Sequence, residues 1–382
     1  MLRPTRESGL EALAAAWRRA EGPGGDLLGA TGEALAALRP RDLAEVTPLV
    51  EALLERLAPH PDPARRGPAR RALVALLDRV RRRAFTAVLE PEAADAWAAL
   101  VVRVVRAADY AFGDLLRARE ETDPRTVALR VLGPDPCEIT VADLSRRTRA
   151  IARGLLALVD GDAEAKVAIL SDGGLEAALC DVACLSNGIV DFPLPANAVP
   201  EQIVFMLRHS GARVLLASDD EQVAKVLPSL AALPDLREVI VFSRSAAERN
   251  GLLSLEQLVS QGAEFEGARA ERAAAVRAGD LATVMYTSGT TGKPKGIAFT
   301  HENIVTKRFC RAFALQNVNE GDVFLCYLPP YHTFGRYLDL CGTLFWGATF
   351  VFARSTAQAT LLEDFRQVRP TVFISVPKKW ME

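Results

Sequence analysis

Lysine is absent from the first 165 residues of this 382-residue chain, and Lys166 is the first to occur. Histidine aside, arginine alone carries the positive side-chain charge up to that point. Its clusters, such as Arg79, Arg81, Arg82 and Arg83, are interspersed with apolar residues and read as a solvated helix face, and the bias itself reads as codon usage. Neither sign of charge is in excess. Lys plus Arg number 46 against 48 Asp plus Glu, a net charge of −2, which gives no electrostatic ground for a nucleic-acid partner or a charged membrane surface.

Cysteine is sparse and unpatterned. Six are scattered along the chain with no Cys-x-x-Cys spacing. Cys180 and Cys184 stand four apart on a helical stretch, but no nearby His or further Cys completes a metal set. No metal ligand is therefore assigned, and the cysteines read as buried free thiols of a reducing compartment. No apolar run approaches the roughly 20 residues of a membrane span. The N-terminus lacks the continuous apolar core of a signal peptide. The expectation is a cytoplasmic chain with no integral membrane segment.

What is present is 49% hydrophobic and 25% charged residues, the balance of a globular chain with room for more than one domain. Residues 1–106 read as helical and form a first region of unassigned role. Val46, Leu49, Val50, Leu53, Leu54 and Leu57 recur at helical spacing, as do Leu73, Leu76, Leu77, Val80 and then Val88, and Trp97, Leu100, Val101, Val104 and Val105. Between the first two stripes lies the proline-rich break Ala58-Pro59-His60-Pro61-Asp62-Pro63. From residue 107 onward short apolar runs alternate with helical stretches. Runs at 166–170, 188–194, 213–217, 238–242 and 281–285 read as strands of a mostly parallel α/β sheet. Residues 370–377 read as a buried strand.

The run at 281–285 feeds into Tyr286-Thr287-Ser288-Gly289-Thr290-Thr291-Gly292-Lys293-Pro294-Lys295-Gly296. Three glycines let the backbone approach a ligand. Successive N–H groups, four hydroxyls and two lysines suit a polyphosphate. The order is not a Walker A motif, since Thr287 stands where that pattern needs Gly and Pro294 where it needs Ser or Thr. Nor is it a dinucleotide fingerprint, because Gly289 and Gly292 lack a glycine at Thr287.

This loop closely resembles the phosphate-binding signature of the adenylate-forming (AMP-binding) superfamily, in the acyl-CoA synthetase, long-chain fatty acid–CoA ligase branch. Companion blocks follow in order: Thr140-Val141-Ala142-Asp143-Leu144, then Pro193-Leu194-Pro195 through Ser210-Gly211-Ala212, then Thr300-His301-Glu302-Asn303 and Leu328-Pro329-Pro330-Tyr331-His332-Thr333-Phe334-Gly335. Val376-Pro377-Lys378-Lys379-Trp380 leans toward the long-chain branch. The resemblance implies stacked, mostly parallel sheets with helices over 107–382, the family's large domain left incomplete. It implies that a carboxylic acid, taken as a fatty acid, is activated with ATP and Mg2+ to an acyl-adenylate and passed to coenzyme A. The alternatives are an adenylation domain that loads a carrier protein and a non-catalytic nucleotide- or acyl-binding module.

Carried over residue by residue, Thr287, Ser288, Gly289, Thr290, Thr291, Gly292, Lys293, Lys295 and Gly296 would contact ATP, with Lys293 given less weight. His332 would orient the carboxylate or gate the route from ATP to the acyl tunnel, against the plainer alternative of a histidine that satisfies a turn. Tyr331, Phe334 and Trp346 would line an apolar pocket, or else belong to the core. His301 reads as structural and His60 as exposed. The chain stops at Glu382, before the family's magnesium-binding glutamate, ribose-binding aspartate and lid domain; Asp339, Glu363 and Asp364 fall before those places. The expectation is a fragment of a longer enzyme, inactive by itself, because closure over ATP needs the lid.

Overall fold

The computed structural model describes residues 6–20, 25–57, 63–159, 161–162, 165–287 and 293–377. The chain forms two compact units. The first holds residues 1–115 together with 277–279 and 302–320, and the second the remainder.

The first unit is all helix. Its helices include Arg6–Arg19, Gly25–Ala36, Leu43–Leu57, Pro63–Val80 and Pro91–Ala107. The apolar stripe of Leu43–Leu57 buries Val46, Leu49, Val50, Leu53 and Leu57, as the spacing predicts. Two indoles sit in this core with their N–H groups satisfied: Trp17 Nε1 donates to Thr31 Oγ1 at 2.9 Å, and Trp97 Nε1 to the Pro40 carbonyl at 2.7 Å. Buried indoles need such partners. Phe85 meets Trp97 edge-on at 4.8 Å. A cleft of about 610 Å³ on this unit is lined by Arg39, Arg41, Arg79, Val88 and Glu90 among others.

Two expectations change here. Val88 is 56% exposed, because the helix ends at Val80 and the stripe does not carry across the turn that follows. Arg81 is buried rather than solvated, with its guanidinium 2.5 Å from Asp78. A buried cation needs a paired carboxylate, and Asp78, three residues back on the helix, supplies it. The proline break at 58–62, with His60, lies outside the described residues.

The second unit holds two sheets. The smaller has strand order β10-β11-β1-β2, with β1 Val127–Val131, β2 Cys137–Thr140, β10 Val323–Cys326 and β11 Thr349–Phe352. The larger has the order β7-β6-β5-β3-β4-β8-β9. Its strands are β3 Lys166–Leu170, β4 Val190–Leu194, β5 Val214–Ala217, β6 Glu238–Val241, β7 Leu253–Ser254, β8 Leu281–Thr287 and β9 Lys295–Thr300. Neighbours from β7 through to β8 run parallel, and β9 closes the edge antiparallel to β8. Helices cover both faces of the parallel strands, so these read as apolar runs without alternation. Ala168, Leu170, Phe192, Leu194, Ile203, Met206, Leu207 and Leu215 form one buried cluster with Tyr286 at its edge.

Residues 370–377 depart from the reading of a buried strand. They lie beside β10 through a single bridge from Val372 to Phe324. One flank alone is partnered among the described residues, and 372–376 stay half-buried. Lys378, Lys379 and Trp380 lie outside the described residues.

Helix Val141–Leu158 opens on Thr140, whose hydroxyl accepts the Asp143 N–H at 3.1 Å, a standard N-cap. It crosses helix Leu255–Gln261 at Gly154, where an added methyl would collide with the Leu258 carbonyl and lie 2.7 Å from Leu258 Cγ. Neither backbone can yield there. Gly154→Ala is therefore expected to destabilise the chain by about 1–3 kcal/mol, read as a lower urea midpoint. An unchanged midpoint would show that this crossing is loose.

Candidate active site

Strands β8 and β9 form a hairpin in which Tyr286 pairs with Gly296 and Thr287 with Lys295. The phosphate-loop residues thus leave and re-enter the sheet at adjacent positions. Thr287, Lys293, Lys295 and Gly296 are all exposed at this end; Ser288, Gly289, Thr290, Thr291 and Gly292 lie outside the described residues. Tyr286 anchors the hairpin. Its ring is buried, and its hydroxyl lies 2.9 Å from His209 Nδ1 on helix Pro200–Ser210. Gly296 keeps the pair tight, because an added methyl would meet Val284 Cγ1 at 2.9 Å.

His332 belongs to a second segment at the same end of the sheet. The turn Leu328–Thr333 leads into a π-helix over Phe334–Leu340, an element found disproportionately at functional sites. The turn is closed by the His332 N–H donating to Pro329 O at 3.0 Å. An added methyl at Gly335 would strike Pro329 O and Leu328 O, so the helix start can lie against the turn only with glycine there. This is the physical content of the His-x-x-Gly spacing. His332 is exposed, and its Nδ1 accepts the Phe334 N–H at 3.3 Å. That bond leaves Nε2 as the protonated nitrogen of the neutral ring.

The turn rests against the loop that follows β3. Pro330 Cδ is the nearest atom to a methyl built on Gly173, at 3.7 Å, and the Tyr331 hydroxyl donates to Asp172 Oδ1 at 3.4 Å. Burial together with the Asp172 charge pushes the Tyr331 phenol up to about 12. Parallel strands β3, β4 and β8 are adjacent and point their carboxyl ends the same way. At about 4.8 Å per strand spacing, the segment carrying His332 and the loop after β8 stand about two strands apart. Ligands of open α/β sheets gather at such ends.

Of the aromatic residues read as pocket candidates, Phe334 is 40% exposed and Tyr331 half-buried, whereas Trp346 is core, stacked on Phe324 at 6.0 Å. His301 is buried at the start of helix His301–Ala314. Cys180, Cys184, Cys326 and Cys341 are buried free thiols, but Cys137 and Cys310 are exposed, on strand and helix faces that nothing covers among the described residues. Burial pushes the Cys180 and Cys184 thiols up, which keeps them protonated.

Beneath the two segments lies a group that sequence reading missed. Arg336, four residues after His332, is fully buried with Asp181 and Asp191. Its Nε and Nη2 donate to the two Asp181 oxygens at 3.0 and 2.6 Å, and Nη2 also reaches both Asp191 oxygens at 2.8 Å. Nη1 donates to Thr283 Oγ1 at 2.5 Å, and that hydroxyl in turn donates to the Asp191 carbonyl at 3.0 Å. Asp191 and Thr283 are register partners on β4 and β8. The one available signal was an aspartate inside each of two apolar stretches, Ala177–Leu185 and Ile189–Leu194, since a buried charge requires a partner. Nothing in the spacing says which arginine supplies it.

Residues 116–382 match the family described as "AMP-binding enzyme". The chain belongs to that family. It is 33% identical over 243 residues to the long-chain-fatty-acid–CoA ligase FadD15 of Mycobacterium bovis, covering 63% of this chain and 39% of that one. It is 26% identical over 261 residues to the long-chain-fatty-acid–[acyl-carrier-protein] ligase AEE15 of Arabidopsis thaliana, covering 63% and 34%. The chain thus spans about two-fifths or less of these curated relatives' length. Among solved structures, the anthranilate CoA ligase AuaEII in complex with anthranoyl-AMP superposes with a TM-score of 0.61 at 20% identity, over 71% of this chain and 49% of that one. This AMP-binding chain therefore has the mixed α/β fold of adenylate-forming enzymes.

Two carboxylates share one guanidinium in the core of the AMP-binding unit. Burial pushes Asp191 from its ordinary 3.8 up to about 7; the Arg336 charge opposes this shift and the Asp181 charge adds to it. A folded-state value above the unfolded one favours folding at low pH, and the benefit fades as pH rises through the folded value. Asp191→Asn has no proton to lose, so its stability relative to wild type is expected to improve between about pH 4.5 and about pH 8. Urea midpoints at both pH values test this; a gap independent of pH would rule out the raised Asp191 value.

Proposed function

We propose that the chain supplies nucleotide and carboxylate recognition for an enzyme that activates a fatty acid with ATP to an acyl-adenylate and transfers the acyl group to coenzyme A. One observation carries the reading: the glycine-rich segment within an AMP-binding family match leaves β8 and returns on β9 beside Lys295, at the same end of the sheet as His332. The FadD15 ligase, at 33% identity, supports the fatty acid and CoA; the AEE15 ligase makes a carrier-protein thiol the alternative acceptor.

In this reading the backbone N–H groups of residues 288–292, the Thr287 hydroxyl and the Lys293 and Lys295 ammonium groups neutralise the β and γ phosphates. They hold the triphosphate while the carboxylate attacks the α phosphorus and pyrophosphate departs. His332 donates from Nε2 to the carboxylate and fixes its approach. An acceptor thiolate then displaces AMP from the acyl carbon. Magnesium would accompany ATP as counter-ion. Among the described residues no three His, Cys, Asp or Glu side chains converge, so no step is assigned to it here.

Turnover is proposed for the whole enzyme, so the chain itself is tested by binding. Lys295→Ala is expected to weaken ATP about tenfold or more, the worth of one charge-assisted contact, at an unchanged urea midpoint. ATP affinity equal to wild type in the folded variant would remove Lys295 from the phosphate site. Adding CoA or a phosphopantetheinylated carrier protein to the whole enzyme then distinguishes the two acceptors by which one consumes the acyl-adenylate.

A further inference from the structure

We propose that Arg336 is a positioning residue that holds the His332 turn in register with the strand carrying the phosphate loop. The inference rests on the function proposed above and goes beyond it, because Arg336 is too deeply buried to touch substrate.

Three connections support it. First, Arg336 is covalently close to His332 and accepts no slack: its N–H donates to the His332 carbonyl at 3.0 Å, and Gly335 lies against the turn between them. Second, its side chain reaches past Asp191 on β4 to β8. Nη1 meets Thr283, four residues before Thr287, where the phosphate loop begins. Third, the guanidinium cannot pivot. Asp181, on helix Leu175–Asn187, takes two of its N–H groups in fork geometry, and Asp191 on β4 takes a third contact. Such bidentate pairing fixes orientation as well as charge. A purely structural ion pair would need only the two aspartates. The bond to Thr283 adds nothing to charge balance and links the carboxylate end of the site to its phosphate end. A shift of about 1 Å between those ends is enough to cost about a hundredfold in productive alignment.

Two probes separate the ends. ATP reports the phosphate loop, whereas a decanoyl-sulfamoyl adenosine, a hydrolysis-resistant stand-in for the acyl-adenylate that carries no β or γ phosphate, reports the His332 end. Arg336→Lys keeps the charge but loses the fork. It is expected to weaken the sulfamoyl compound about tenfold while ATP moves no more than about twofold, and to add no more than about twofold in a His332→Ala background, as coupled residues do. Thr283→Val, which severs only the strand tie, is expected to give the same pattern at about threefold; it decides the matter should Arg336→Lys not fold. Equal losses for both ligands, or losses that persist in full without His332, would overturn the proposal and leave a structural ion pair. Wild-type chain that binds ATP but not the sulfamoyl compound also overturns it. Wild-type chain that binds neither overturns the functional reading itself.

Discussion

The second unit is organised around one guanidinium. Arg336 and Asp181 are buried where they meet Asp191, the second residue of β4, and each comes from a different element. Removing water from three charges is costly, and an ion pair of this kind often adds no net stability over an apolar replacement of equal volume. Removing one partner alone is another matter, at about 3–5 kcal/mol. The arrangement is therefore best understood as a demand for geometry: the helix, the two strands and the π-helix must meet in one way for the charges to be matched.

Charge balance sharpens that demand. Two carboxylates against one cation leave a surplus negative charge in an apolar interior. Burial lifts Asp191 far enough for a proton to reside there near neutrality, and the Thr283 hydroxyl supplies one more polar contact without charge. The strand that must carry a hydroxyl here is the strand that ends in the phosphate loop. The link between core electrostatics and the candidate site thus runs through Thr283, whose backbone register against Asp191 is set by β-pairing rather than by the loop.

The parallel strands could be read from the chain because burial on both faces leaves apolar runs without alternation, as at Val167–Leu170 and Val214–Ala217. Other features depend on how the elements pack. Arg81 looks like one member of a solvated cluster until Asp78 is seen to match it in a buried setting. Residues 370–377 have a strand's composition, yet pair through a single bridge, since composition does not determine how many flanks find partners.

The candidate site divides along the same line. The phosphate half could be proposed from the chain because glycine spacing and hydroxyl content are local properties. The carboxylate half was proposed on a motif alone. The reason for the motif is steric and appears in space: Gly335 admits the Leu328 and Pro329 carbonyls, and the turn so formed presents His332 with Nδ1 already occupied by Phe334. What joins the halves was not legible, because Asp181, Asp191, Thr283 and Arg336 are separated by up to 155 residues and share no spacing rule. A local motif can specify which atoms meet a ligand; the angle between two such motifs is set by the core, and here the core sets it through a charge.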